Sequence, residues 1–477
     1  MTGFATPDAS VIERLKAIVG PSGWRAPDDA ARYFDDPRGR FHGRGHIVLL
    51  PGATEEVAAI LRACNESCTG VIPWGGGTGV VAGQLSPDSD NAVILSLERM
   101  NRVREIDVQD FAMVAEAGCI LENAHAAAAA QAMMFPLSMA SKGSCTIGGN
   151  LATNAGGIQV LRHGNARDLC LGIEAVLPSG AVLSELAPLR KNNTGYDLRH
   201  LLIGSEGTLG IITAATLVLK PLDPETVTAL CALTSPTQAQ RLFAALRKRL
   251  GESLSGLELL SGLGIRLVTR HFSALRDPFD QPHAWFLLAE MSGPEGLRDR
   301  VETALADFLH EDLLIDVVIA QSEAQRANLW ELRERTPEAN RAEGAFCNSD
   351  TSVPLSRIDA FIGATHRGVM AIQPGLRINS YGHIGDGNIH HNVFPPEGLK
   401  KAEFLADHPG LVETVREEIN RVTDAFGGAI SAEHGIGRLK LEDLERYAGS
   451  AKLTALRQIK AALDPNGILN PGALLRG

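Results

Sequence analysis

The hydrophobic pattern of the chain changes character near Pro221–Pro224. Before that point, short apolar runs alternate with glycine-rich stretches. Ile47-Val48-Leu49-Leu50 reads as a buried strand stopped by Pro51-Gly52. Thr54 to Asn65 reads as a helix, with Thr54 as its N-cap and Glu55 and Glu56 in its first turn. Val71 to Trp74, Ala92 to Leu97 and Met113 to Ala117 predict further strands, and Glu122 to Met133 a helix. Leu171 to Leu183 predicts a hairpin around Pro178-Ser179-Gly180, and Gly210 to Leu219 a long β-branched strand closed by Lys220-Pro221. From Glu225 the elements lengthen. Strands are predicted at Thr226–Leu233, Ala284–Glu290 and Leu313–Ala320. Helices are predicted at Gln238–Leu250 and Gly296–Leu309, through Arg333, and at Glu413–Phe426 and Lys452–Leu463. Strands and helices mix without strict βαβ alternation, so the class is α+β. The chain divides into 1–221 and 222–477, with no fixed-period repeat.

The densest cluster of chemistry-bearing residues lies in Tyr381-Gly382-His383-Ile384-Gly385-Asp386-Gly387-Asn388-Ile389-His390-His391-Asn392. Asp386-Gly387 is a two-residue hairpin signal, because a type I′ turn needs positive φ at both central positions. With the turn there, His383 faces His390 and Tyr381 faces Asn392 on one side of the ribbon. Directly opposed Cβ atoms lie about 4.5–5.5 Å apart, which lets two imidazoles share one metal ion. A hydrogen-bonded or solvated histidine pair is the plainer alternative. Glu433-His434, set between Gly427-Gly428 and Gly435-Ile436-Gly437, offers a third ligand and a general base.

Three glycine-rich segments mark the first part. Gly77-Thr78-Gly79-Val80-Val81-Ala82 follows a strand and matches the dinucleotide fingerprint. Gly83 and Ser86-Pro87-Asp88 leave no room for the helix that a Rossmann unit requires, so that fold is rejected. The second segment, Lys142 to Gly157, carries glycine, asparagine and hydroxyl residues and no acid, which suits a pyrophosphate. The third is Gly204-Ser205-Glu206-Gly207-Thr208-Leu209-Gly210. Either these are unrelated structural turns, or they converge on one elongated ligand.

Composition narrows the classes. The chain has 477 residues, 44% hydrophobic and 21% charged, the balance of a folded enzyme. A net charge of −11 without a basic run argues against nucleic acid. The seven cysteines are irregularly spaced with no CxxC pair, as in reduced thiols of a cytoplasmic protein, and offer no iron–sulfur ligand set. Met1 to Gly20 has helical spacing and no signal-peptide pattern, and no apolar stretch is long enough to span a membrane.

Long ordered blocks then resemble the FAD-dependent D-2-hydroxy-acid dehydrogenases of the vanillyl-alcohol-oxidase type, with the D-2-hydroxyglutarate and D-lactate dehydrogenases as the nearest branch. The blocks are Gly75–Gly79, Pro136–Gly157, Arg190–Leu198, Ile203–Thr213, Trp330–Arg335, Tyr381–Asn392, Ser431–Gly437 and Leu463–Pro471. The resemblance implies a two-subdomain PCMH-type FAD-binding domain, a ferredoxin-like substrate domain and a C-terminal helical segment. It implies FAD contacts at Pro73, Gly75, Gly76, Gly77, Thr78, Gly79 and Pro136, then at Gly143, Ser144, Thr146, Gly148, Gly149, Asn150, Ala152, Thr153, Asn154, Gly156 and Gly157. Further contacts are implied at Glu206, Gly207, Ile211, Ile212 and Asn470. Thr78 occupies the place where some relatives carry a flavin-tethering histidine, so the FAD is expected to be non-covalent. His383, His390 and Glu433 resemble ligands of a divalent metal, usually zinc or manganese. His434 resembles the base that takes the hydroxyl proton, and Arg333 and Asn392 the contacts to the substrate carboxylate and hydroxyl.

The implied activity is oxidation of a D-2-hydroxy acid to the 2-oxo acid. Electrons would pass to an external acceptor such as an electron-transfer flavoprotein, a quinone or a cytochrome; a dimer is expected from size and class. Two departures bear on the substrate. Pro337 stands where the hydroxyglutarate branch carries threonine, and Asn348 where it carries a lysine for the distal carboxylate. Charge-assisted contacts are worth about 1.5–3 kcal/mol each, which favours a neutral or differently polar side chain. Ser349 and Arg335 are candidates for a polar end to that pocket. An O₂-using oxidase is the nearest rival, and a metal-dependent hydrolase without flavin a rival of another class.

Overall fold

In a computed structural model the described residues are 7–36, 39, 41–85 and 92–476. Met1 to Thr6 and Ser86-Pro87-Asp88 lie outside them. The chain forms two compact units. The first comprises Met1–Gly157, Gly164–Leu222 and Glu433–Gly477; the second comprises Ile158–His163 and Asp223–Ala432.

The first unit holds two main sheets. One orders Trp24–Arg25, Val48–Leu49, Ala92–Ser96 and Gly70–Trp74, and its last three strands run parallel. The other is antiparallel and orders Val103–Asp107, Ala112–Glu116, Ile211–Val218, Cys170–Val176 and Val182–Glu185. The helix Thr54–Glu66 buries Val57, Ile60 and Leu61 against the first sheet's core. Its predicted cap is a correction: Ala53 holds the N-cap position, without a side-chain bond. The Thr54 hydroxyl is drawn off by Glu174, donating to its Oε1 at 2.7 Å. No helix follows Gly79 before the end of the described run at Leu85, in keeping with the rejected Rossmann reading. The tail returns to the first sheet, where Leu469 bridges Val71 in parallel.

The second unit is built on one sheet. Glu225–Leu233, helix Pro236–Leu250, Leu254–Ser261, helix Gly262–His271, Trp285–Gly293, helix Leu297–His310 and Asp316–Ile319 follow in chain order, a β-α-β-β-α-β unit with one further helix between its second and third strands. The four strands lie as fourth, first, third, second, the ferredoxin-like arrangement. The hairpin Arg377–His383/Asn388–Phe394 extends this sheet beyond Leu254–Ser261, followed by Cys347–Asn348. Alternation sorts the faces. Ala229, Cys231, Leu257, Leu259, Leu287 and Ala289 pack under the helices on one side. Leu230, Leu260, Phe286 and Leu288 pack with Trp330 and Tyr381 on the other.

Among the described residues no helix is long and apolar enough to cross a membrane.

Candidate active site

A hairpin's register decides which side chains share a face, and here it departs from the turn signal. Tyr381 pairs with His390 and Asn379 with Asn392. The two-residue turn is therefore corrected to a four-residue one over Ile384–Gly387, closed by Gly387 N–H donating to the His383 carbonyl at 3.1 Å. His383 no longer faces His390 directly, and Tyr381 no longer faces Asn392. The shift is by two residues, so the faces are kept, because only an odd slip turns a strand over. His383 and His390 are diagonal neighbours with ring centroids 6.2 Å apart. Tyr381 lies between them in register, 5.2 Å from His390.

Each imidazole has its Nδ1 set by an acceptor. His390 Nδ1 lies 3.1 Å from the Ser349 carbonyl oxygen, and His383 Nδ1 meets Glu258 Oε1. Both partners demand an Nδ1–H tautomer and leave Nε2 as the lone-pair atom, the arrangement of metal-binding histidines. Arg333, near the end of the helix Glu323–Glu334, donates from Nε to Glu258 Oε2 at 2.5 Å. Its guanidinium lies over the Tyr381 ring, 4.8 Å from the centroid. Arg333, His383, His390 and Asn392 are all buried.

Glu258 is the residue that sequence reasoning passed over. It is fully buried on Leu254–Ser261. Burial pushes its carboxyl up, and Arg333 and His383 more than reverse this, bringing it down to about 2. The available signal was one acid inside Leu257-Glu258-Leu259-Leu260, since unpaired acids are almost never fully buried.

The opposite face of the hairpin carries a second polar string. Ser380 Oγ lies 2.7 Å from His366 Nε2 and 2.8 Å from His391 Nδ1. Burial first, then His366 and His390, hold the His391 pKa well below its ordinary value.

In the first unit the three glycine segments converge. A Cβ on Gly76 would overlap the Ser144 carbonyl, one on Gly75 would lie 3.1 Å from Thr146 Oγ1, and one on Gly207 would overlap Pro73. Much of the glycine content thus serves close approach of loop to loop. Thr146 caps the short helix Ile147–Ala152, and Gly148 N–H donates to the Ala117 carbonyl at 2.7 Å. The end of that helix binds the third segment through Glu206 N–H to the Ala152 carbonyl at 2.8 Å. Asn470 Nδ2 donates to the Gly83 and Glu206 carbonyls at 3.0 and 2.8 Å. Gly157 passes against the Ser138 carbonyl, joining it to the Pro136 run. Gly143, Ser144 and Thr153 are exposed, Gly77, Thr78, Gly79, Gly149, Ala152, Asn154 and Gly156 half-buried, and Asn150 buried. Ile211 and Ile212 put their side chains into the cores.

Glu206 is the one acid in these segments. Its carboxylate accepts Ile436 N–H at 2.8 Å and Gly437 N–H at 2.7 Å. It is thereby committed to the backbone just after Glu433-His434. Burial raises its pKa, against the opposing pull of the Ile436 and Gly437 amides.

Glu433 and His434 belong to this first unit, at the start of its returning segment, and Ala432 closes the second. Arg335 is committed to Glu331 at 2.6 Å and Glu338 at 3.0 Å. Ser349 Oγ accepts the His391 N–H at 3.0 Å. Both side chains thus have work in the fold.

Two family descriptions match the chain. Residues 46–184 match the family described as FAD binding domain, and residues 222–474 that described as FAD linked oxidases, C-terminal domain. A D-2-hydroxyglutarate dehydrogenase of Xanthomonas citri pv. viticola is 37% identical over 468 residues, covering 98% of this chain and 97% of the relative. A D-2-hydroxyglutarate–pyruvate transhydrogenase of Saccharomyces cerevisiae is 32% identical, covering 94% and 90%. The solved structure of 4-ethylphenol oxidase from Gulosibacter chungangensis superposes with a TM-score of 0.74 at 21% identity, covering 98% of each chain.

Proposed function

The chain belongs to the FAD-linked oxidases, among the relatives of D-2-hydroxyglutarate dehydrogenase, and on that premise we propose that it oxidises a D-2-hydroxy acid at C2. The observation that carries this reading is the polar face of the hairpin. It joins a buried arginine, two histidines with fixed tautomers and an asparagine, in a chain whose other part is an FAD-binding domain.

The residues fit both groups that the reaction requires. The converging glycine loops would hold FAD, their only acid being engaged with backbone amides. His383 and His390, with Glu433 as the third donor, would hold a divalent cation. When bound, the flavin accepts hydride and the cation acidifies the substrate hydroxyl. Arg333 grips the carboxylate through paired N–H groups, and Asn392 orients the hydroxyl. His434 takes the hydroxyl proton as the C2 hydride departs, a task matched to the ordinary imidazole range. The electrons leave to an external acceptor.

Asn348 and Pro337, in place of an ammonium and a hydroxyl, support a substrate whose side chain is neutral or polar without a second carboxylate. The test is an anaerobic titration of the purified flavoprotein with D-lactate, D-malate, D-2-hydroxyglutarate and longer D-2-hydroxy acids, each beside its L-enantiomer. Bleaching of the oxidised-flavin band by D-acids alone supports the reaction. Fastest bleaching by D-2-hydroxyglutarate overturns the substrate assignment, and a colourless protein overturns the reading itself.

A further inference from the structure

A carboxylate inside an apolar sheet is costly to bury and persists only where partners compensate it. We propose that Glu258 is a positioning residue that fixes both the metal-binding histidine and the substrate-gripping arginine, an inference that rests on the roles given above to Arg333 and His383.

Three observations carry it. Glu258 stands directly opposite His383 in the strand pairing, so the contact is built into the register. Its two oxygens divide between two partners, Oε1 to His383 Nδ1 and Oε2 to Arg333 Nε. It has no solvent exposure, so water does not substitute for either bond. Towards His383 the carboxylate holds the proton on Nδ1 and presents Nε2 as the ligand atom. A carboxylate partner also makes the His383 imidazole a stronger ligand than a carbonyl partner would. Towards Arg333 it fixes the guanidinium plane over the Tyr381 ring. One side chain thus couples cation affinity to substrate affinity.

The coupling separates this role from a purely structural ion pair. A structural pair lowers thermal stability and leaves zinc affinity and KM unchanged in the enzyme that remains folded. Zinc affinity is to be measured by equilibrium dialysis of chelator-stripped, flavin-loaded protein, and KM with the D-2-hydroxy acid that bleaches wild type fastest. Glu258→Gln is expected to lower zinc affinity roughly 10- to 100-fold and to raise KM about tenfold or more, with flavin content unchanged. Glu258→Asp, which keeps the charge, is expected to recover part of both. A Glu258→Gln protein that retains flavin and stays within twofold of wild type in zinc affinity and KM overturns the proposal. If that variant does not fold, ¹⁵N-histidine NMR of the wild-type protein decides, with the His383 signal assigned by its loss in His383→Gln. Nδ1–H is the expected tautomer and Nε2–H overturns the proposal. A wild-type protein that neither binds zinc nor is bleached by any D-2-hydroxy acid overturns the functional reading and this inference with it. The outcomes above, on an active wild type, overturn the inference alone.

Discussion

Asn348 stands directly across the sheet from Asn392, on the face that carries His390 and Tyr381. Position 348 is exposed at the edge of that face, where the resemblance places a lysine. A side chain there is within a strand's width of the proposed hydroxyl contact.

Substrate choice is therefore predicted to turn on this position. Asn348→Lys should raise kcat/KM for D-2-hydroxyglutarate relative to D-lactate by roughly tenfold to a hundredfold, the worth of one charge-assisted contact. The measurement is the ratio of the two constants in each protein. An unchanged ratio would show that the distal end of the substrate does not reach Asn348.

The turn carries a second prediction. Gly387 has φ of 87°, and a Cβ there would overlap the Val353 carbonyl. Gly387→Ala pays a left-handed backbone cost of about 1–2 kcal/mol, and the overlap adds to it. The variant should unfold at lower denaturant and lose zinc affinity, because His383 begins the turn. Gly427→Ala also introduces a positive-φ alanine, with nothing near its Cβ. It should lose comparable backbone stability and keep its zinc. Equal zinc loss in both proteins would refute the assignment of the effect to the turn.

That turn also shows where sequence reasoning stops. Asp386-Gly387 correctly marked a hairpin, but the closing geometry depends on Val353 N–H donating to the Gly387 carbonyl at 3.1 Å, a contact from outside the hairpin. His383, His390, Tyr381 and Asn392 nevertheless share a face, because an even shift preserves it. Glu258 was illegible for a related reason. Its partners lie 75 and 125 residues away, and no local pattern pairs a strand acid with Arg333 and His383. Thr54 failed as a cap because Glu174, remote in sequence, takes its hydroxyl. Long strands such as Glu225–Leu233 and Ile211–Val218 were legible because buried strands write their identity in consecutive apolar residues.

Acid sensitivity is predicted to arise partly in the first unit. Burial raises the carboxyls of Glu116 and Glu174, but the Arg102 and Arg104 bonds to Glu116 more than offset this. Arg104, Thr54 and Thr213 do the same for Glu174. Both end below their ordinary value, so between that value and the folded one the unfolded chain binds more protons. Their stabilisation is present at neutral pH and is lost as pH falls through the folded values. Glu116→Gln should be less stable than wild type at pH 7 and show a shallower decline below about pH 4.3, the ordinary glutamate value. Denaturant midpoints across pH 7 to 3 check this, and parallel curves for the two proteins would exclude the Arg102–Glu116–Arg104 cluster as a source.

Glu206 should show the opposite sign. Burial raises its carboxyl, so the folded protein binds a proton at pH values where the unfolded chain has released it. Its contribution to stability falls as pH rises from the ordinary carboxylate value through the raised one. At neutral pH its retention is explained by the two amides that it holds, Ile436 and Gly437. Glu206→Gln replaces one acceptor oxygen with a donor and sets an NH₂ group against a buried N–H. Leaving such a group unsatisfied costs about 1–3 kcal/mol. The segment that carries Glu433 and His434 is then held less tightly, so turnover should drop more than KM changes, with flavin binding largely kept. Rapid-reaction measurement of flavin reduction separates the two effects. A variant reduced at the wild-type rate would mean that the position of His434 does not depend on the Glu206 clamp.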